Sequence, residues 1–188
     1  ESSDAADYTF SCIDLRKGEE KSVRMQTIGD MWGTGLFKAN ACDYCDDVMT
    51  ELADISLGDA WIKPFDRDGR GNSVIVTRSP EAEGLMCDGS RTNELQLVPL
   101  SRDMMVASQQ GSFNHRRDGL YVRIRLRLMQ RRATPVKRYG GMILWPDVWM
   151  VQYLRSVSRR RSLAEWVAYE DFNEFDRAMR STLINLKF

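Results

Sequence analysis

The chain begins with alternation: Tyr8, Phe10 and Cys12 are separated by polar or smaller residues, Lys17-Gly18-Glu19 interrupts, and Ser22 to Ile28 resumes an extended pattern. Period two around a glycine break predicts a β-hairpin. Gly29 to Asn40 has glycines and aromatics without a period and reads as loop, leading into Cys42-Asp43-Tyr44-Cys45. Ala53, Ile55 and Leu57 mark one face of a strand that Gly58 interrupts. A loop rich in Gly, Asp and Arg from Pro64 to Asn72 then feeds the short β-branched strand Ser73 to Thr77.

Ser79-Pro80-Glu81 has the order of a helix start: serine caps free amides, proline loses nothing at the first position, and glutamate suits the positive end. Gly89 should stop that helix. Glu94 to Leu100 reads as a strand, and Ser101-Arg102-Asp103 opens a helix that Gly111 should end. Pro146 opens a helix through Trp149 and Leu154. Ser162-Leu163-Ala164-Glu165 has the form of a capping box, and Ala168, Phe172, Phe175, Met179 and Leu183 follow at helical spacing as a core stripe. Leu120 to Gln130 is divided: Val122, Ile124, Leu126 and Leu128 alternate with Arg123, Arg125 and Arg127 as in a strand, yet Arg and Leu are good helix formers. Helix is preferred. The expected fold is α+β, a mixed β-sheet with short helices over residues 1–130 followed by a helical C-terminal extension over 131–188. No internal repeat or low-complexity tract is present.

Composition narrows the class. With 188 residues and 43% hydrophobic content, the chain suits one domain or two small ones and is neither collagen-like nor disordered. Its densest apolar stretch, Gly141 to Leu154, contains Pro146 and Asp147 and is too short to span a bilayer. Residue 1 is Glu and no leader precedes the first patterned segment, so a chain cropped from something longer, located in the cytoplasm, is expected. The formal charge of zero hides a split. Residues 1–100 hold 10 Lys and Arg against 19 Asp and Glu, and residues 101–188 hold 17 against 8. The halves either attract each other or the basic half binds anions.

Four cysteines, Cys12, Cys42, Cys45 and Cys87, are expected to be reduced thiols. The two-residue spacing of Cys42 and Cys45 lets both thiolates turn toward one metal or cluster, and three uses stay open: iron–sulfur ligands, zinc or dithiol redox chemistry, or no chemistry. Asp43, Asp46 and Asp47 put negative charge beside the thiolates, which suits divalent zinc better than an anionic cluster unless amides or arginines compensate. Cys12, on a strand, and Cys87, at a helix end, are read in preference as ordinary buried thiols.

Cys42-Asp43-Tyr44-Cys45 followed by Glu51-Leu52-Ala53-Asp54-Ile55-Ser56-Leu57-Gly58-Asp59-Ala60-Trp61 resembles the CxxC…ADIxxGDxW motif of the C-terminal domain of the coenzyme F-420 hydrogenase/dehydrogenase beta-subunit family. Gly71 to Arg78 is similar to the family's G-x-S-x-V-I-x-R stretch, and Ser108 to Gly111 and His115 to Leu120 are similar to segments of bacterial members. The resemblance covers roughly residues 8–130 and implies an oxidoreductase in which FAD lies beside a 4Fe-4S cluster and exchanges electrons with a hydride-carrying partner. It implies that Cys42 and Cys45 are cluster ligands, that remaining thiolates come mostly from an N-terminal domain absent here, and that Cys12 is the one spare within this chain. A redox partner subunit or electron carrier is implied as well.

The flavin role asks for amides and cations near a pyrophosphate. Gly69, Gly71, Ser73 and Arg78 form the phosphate-facing candidates, against the plain alternative of a glycine turn before a strand. Asp59 and Trp61, at a strand end, are candidates for the flavin edge or for a cap and a core tryptophan. Asn114-His115-Arg116-Arg117 can bind an anionic tail or form an exposed polar loop, the preferred reading. Arg123, Arg125 and Arg127 are expected to be solvated or paired. No catalytic acid or nucleophile is required, because cofactors carry such chemistry. Two other functions compete: an arginine-rich anion or nucleic-acid binding protein with structural zinc, and a cofactor-less partner-binding domain.

Overall fold

The computed structural model describes residues 5, 9–24, 31–138 and 145–186. Tyr8, the end of the second strand at Ile28 and the start of the apolar stretch at Gly141 lie outside them. In chain order the elements are β1 (Thr9–Asp14), β2 (Glu19–Arg24), α1 (Met31–Thr34), β3 (Ile55–Asp59), β4 (Ser73–Thr77), α2 (Pro80–Arg91), α3 (Arg102–Ser108), α4 (Gln110–Phe113), α5 (Gly119–Met129), α6 (Pro146–Tyr169) and α7 (Phe172–Ile184). Short 3-10 turns occupy Asn40–Tyr44 and Phe65–Arg67, and a π turn occupies Asn114–Asp118. The fold is α+β, and its described strands form two separate antiparallel pairs, β1 with β2 and β3 with β4. No helix among the described residues is long and apolar enough to cross a membrane.

The chain divides into two compact units, interleaved in sequence: Glu1–Tyr8 with Asp47–Asn114, and Thr9–Asp46 with His115–Phe188. In the first, β3 and β4 pair from Ile55↔Thr77 to Asp59↔Ser73. Met49, Ala60, Val74 and Ala82 are its buried apolar residues. Ser79 caps α2 through Ala82 N, and Ser101 caps α3 through Met104 N, as their sequences predict. Gly89 does not stop α2. The helix runs on to Arg91 because Leu95 folds back over the glycine, and a Cβ there would lie 2.7 Å from Leu95 Cδ1. Asn93 ends the helical path at φ +60. Glu94 to Leu100 is irregular and not a strand, having no neighbouring strand to pair with among the described residues. Gly111 likewise lies inside α4, and α3 ends earlier, at Ser108.

In the second unit, the alternating segment 120–130 is helical. As α5 it buries Leu120 and Val122 completely, which its alternation does not reveal. Ser162 starts no helix. It lies within the 24-residue α6, where its hydroxyl donates to Arg159 O and accepts Phe37 N. The last helix is instead capped by Asp171, whose carboxylate accepts Asn173 N and Glu174 N. Of the expected stripe, Phe175 and Met179 are buried while Phe172 is exposed. Phe37 stacks on Phe175 at 5.3 Å between centroids and meets Trp166 edge-on at 6.3 Å. These contacts fasten the segment after α1 to α6 and α7. Gly35, at φ +74, continues the docking: a Cβ would sit 3.3 Å from Arg155 O.

Candidate functional site

Cys42 lies on the 3-10 turn that this docking positions, and Cys45 is its C-terminal cap. Cys42 N donates to Ala39 O at 3.1 Å, and Cys45 N to Cys42 O at 3.4 Å. Neither cysteine forms a disulfide, and Cys42 is exposed and Cys45 half-buried. Arg116, on the π turn before α5, donates from Nη1 to Cys45 Sγ at 2.8 Å. Asp43 between the two cysteines is held by three cations. Arg123 Nε donates to its carbonyl at 2.8 Å, Lys38 Nζ lies 3.3 Å from Oδ1, and Arg159 pairs with Oδ2.

The acidic residues therefore do not crowd the thiols uncompensated. Asp43 is matched by Lys38 and Arg159, while Asp46 faces Lys137 at 3.4 Å and Arg138 at 3.9 Å. Burial works against the Asp46 charge, but its backbone hydrogen bond and these two cations outweigh it and hold its carboxyl below the usual range. Asp47 belongs to the other unit and caps Glu51 N at 3.1 Å.

Arg123 is the centre of the arrangement. Only 5% exposed, it donates to Asp43 O, to Gln152 Oε1 at 2.8 Å and to His115 O at 3.0 Å. Burial, more than its cationic neighbours Arg155, Arg116 and Arg159, lowers its pKa to about 10 against the pull of Asp43, so it is charged at neutral pH. Of the expected solvation and pairing with the acidic half, Arg123 shows only the pairing, at Asp43, because a helix turns residue 123 inward and leaves Arg125 outside against Tyr121. His115 is not an exposed loop residue either. Its Nε2 lies 2.8 Å from Lys38 Nζ and its Nδ1 3.4 Å from Arg155 Nη1. Burial, then Arg123, Lys38, Arg155 and Arg116, push its pKa to about 3, so the ring is neutral at pH 7. Burial also lowers the Lys38 pKa, with Asp43 opposing. A cavity of about 20 Å³ is lined by Asp43, Tyr44, Arg123, Leu126 and Arg159, and another of about 10 Å³ by Lys38, His115, Gln152 and Arg155.

Cys12 lies on exposed β1 opposite Lys21. Among the described residues no three His, Cys, Asp or Glu side chains are grouped to hold a metal ion. The structure thus brings Cys42 and Cys45 onto one turn without Cys12. In the first unit, Asp59 and Ser73 are Cα partners at one end of the β3–β4 pair, and Asp59 O accepts Gln109 Nε2 at 2.6 Å. Trp61 follows, half-exposed. Gly69 and Gly71 lie in the loop before Ser73, where Gly71, at φ +81, donates to Asp68 O at 2.8 Å. Arg78 is at the other end of β4, about 17 Å along the strand from Ser73 at ~3.3 Å per residue. There Nη1 donates to Ala53 O and Ser56 Oγ, and Nη2 to Met49 O.

The chain is thus an α+β protein that presents two thiols on one cation-clamped turn. A search of curated proteins and a search of solved structures returned no match. The family model for the C terminus of the coenzyme F420 hydrogenase/dehydrogenase beta subunit matches residues 5–103, and the chain belongs to that family. It is accordingly a redox-enzyme module. Arg116, Arg123, Arg155 and Arg159 lie beyond the matched residues, and sequence reasoning missed Arg123, Arg155 and Arg159 as site residues. The signal that could have found them was the excess of arginine over carboxylate in the second half.

Proposed function

We propose that this chain is the C-terminal module of an iron–sulfur flavoprotein oxidoreductase, in which Cys42 and Cys45 supply two thiolates to a 4Fe-4S cluster and further ligands come from outside the described residues. The observation that carries this reading is the Arg116 donor on Cys45 Sγ, beside the guanidiniums that clamp Asp43. A ligating sulfur is electron-rich, and a cationic hydrogen-bond donor to it would offset the negative charge of the cluster it holds. Arginine compensation is the condition under which the acidic neighbours cease to argue for zinc. Two soft donors on one turn fit half a cluster's ligand set. When bound, the cluster would relay single electrons, and the chain's own residues hold the thiols in place and balance their charge.

FAD is the second cofactor of this reading. The Asp59–Ser73 end of the β3–β4 pair, with Trp61 and the Gly69–Gly71 loop, supplies exposed donors and open backbone for it. Arg78 anchors the opposite end and is left out of that set. A redox partner protein or carrier exchanging electrons with an F420-like or other acceptor completes the proposal.

Anaerobic purification of the protein with its native partners, followed by iron, sulfide and flavin analysis, tests it. Iron, sulfide and flavin are expected together, and Cys42→Ser should diminish iron. Absence of both iron and flavin, or unchanged iron in Cys42→Ser, contradicts the reading.

A further inference from the structure

We propose that the C-terminal end of α5 and the facing middle of α6 form a docking surface for a carboxylate-rich segment of a partner protein. The inference deepens the redox reading by giving the partner a chemistry, and it rests on that reading only for the partner's role as electron carrier. The cleft between the two helices is lined by Arg123 and Arg127 from α5 and by Arg159 and Arg160 from α6, together with Asp43 and Tyr44 of the cysteine turn. Asp43 is the one carboxylate in it, and Lys38 and Arg159 already hold it. The Arg127 side chain meets no carboxylate among the described residues, and its Nε is buried without an acceptor. Part of this guanidinium is therefore dehydrated before any partner arrives, which strengthens its attraction for an anion. Arg160 Nε reaches only Ser156 O, at 3.4 Å. Arg131 and Arg132 follow where the chain turns off α5, Arg132 N donating to Arg127 O at 3.1 Å, and both are exposed.

Charge selects the occupant. From Gly119 to Arg138 the chain has seven Lys and Arg and no Asp or Glu. The negative end of α5 offsets about half an elementary charge, too little to balance the guanidiniums of Arg127, Arg131, Arg132 and Arg160. The face is also bounded. Arg161 pairs with Glu165, Arg177 with Glu174 and Arg180 with Asp176, so it does not continue as a track that a nucleic-acid backbone would follow. The cleft, about 20 Å³, admits no more than one carboxylate oxygen, and the remaining contacts lie on the exposed arginines, a demand that an acidic protein surface meets. Asp43 and Tyr44 put this surface beside the turn that bears Cys42 and Cys45, where a carrier has to come close to exchange electrons. Opposite charge would steer that encounter and fix its register.

A fluorescently labelled peptide rich in Glu serves as probe, with the full chain at pH 7 and low ionic strength. Its anisotropy should rise saturably, and the apparent affinity should fall as chloride is added. Arg127→Gln should weaken binding about tenfold, the loss of one charge-assisted contact, and the exposed Arg160→Gln about threefold. Arg180→Gln, on α7 beside Asp176, should change it little. Absence of saturable binding at hundreds of micromolar protein overturns the surface, and equal weakening by Arg127→Gln and Arg180→Gln overturns its location. Arg160→Gln keeps the location testable where Arg127→Gln fails to fold. A single-stranded oligonucleotide of equal charge that binds as tightly or more tightly overturns the protein partner in favour of nucleic acid, and that comparison needs only the unmutated protein. Iron and flavin analysis keeps the two readings apart: both cofactors present with no peptide binding contradicts only the docking surface, and peptide binding without iron or flavin contradicts only the redox reading.

Discussion

Arg123 Nε donates to the main-chain carbonyl of Asp43 at 2.8 Å, so a buried helical guanidinium on α5 grips the backbone of the turn that holds Cys42. Removing it should be felt at both places. Arg123→Met leaves Asp43 O, Gln152 Oε1 and His115 O without these donors and should lower stability by about 3 kcal/mol, read as a shift of the urea midpoint. Arg123→Lys keeps a charge but cannot reach three acceptors, and it should also be destabilised. In both variants the Cys45 environment should become more exposed to thiol-modifying reagents.

His115 should make the protein acid-sensitive above the range in which carboxylates titrate. In the unfolded chain the ring takes a proton as pH falls below about 6.5, whereas the folded ring resists until about 3. The unfolded state therefore binds more protons across that window. Stability contributed by the neutral ring is complete above about 6.5 and is lost as pH falls toward 3, with a slope of at most about 1.4 kcal/mol per pH unit. Because the chain has one histidine, the slope between pH 6.5 and 5 belongs mainly to it. Urea midpoints across this range should fall with acid, and His115→Gln should flatten them. An unchanged slope in that variant removes His115 as the cause.

Elements whose boundaries are set by neighbouring residues were legible in the sequence. Ser79 before Pro80, Ser101 before Arg102 and Pro146 all mark helix starts in the structure, because capping and proline geometry act within a few residues. Ser162 failed for a long-range reason: its hydroxyl takes the amide of Phe37, 125 residues away, while the helix passes through it. The cysteine turn was legible as a motif, but its clamp was not. Arg123 and Arg125 look equivalent in an alternating sequence, yet helical geometry places them about 200° apart and buries only the first. Charge counting indicated that the halves differ, without showing that arginines would enclose Asp43.

Arg78 separates a structural role from a cofactor role. Its guanidinium joins Met49 O, Ala53 O and Ser56 Oγ, and Ser56 also donates to Met49 O, so the turn before β3 is tied to the end of β4. Arg78→Lys should lower stability by about 2 kcal/mol in protein free of flavin, since one ammonium cannot serve all three acceptors. Flavin affinity, corrected for the fraction folded, should change little. A stable variant with weakened flavin binding would instead return Arg78 to the phosphate-facing set.

Two glycines of α2 make a paired prediction in which the same substitution has opposite signs. Gly84 has open space where a Cβ would point, so Gly84→Ala should gain about 0.5–1 kcal/mol from reduced unfolded-state entropy and better helix propensity. Gly89 is buried under Leu95, and a new methyl would lie 2.7 Å from Cδ1 and 2.9 Å from Cγ. Leu95 must then move, and with it the fold-back in which Leu95 N donates to Gly89 O at 3.0 Å. Gly89→Ala should therefore lose about 1 kcal/mol despite the same propensity gain. Thermal midpoints of the two variants should bracket the parent, and a Gly89→Ala protein as stable as Gly84→Ala would show that Leu95 does not hold that position in solution.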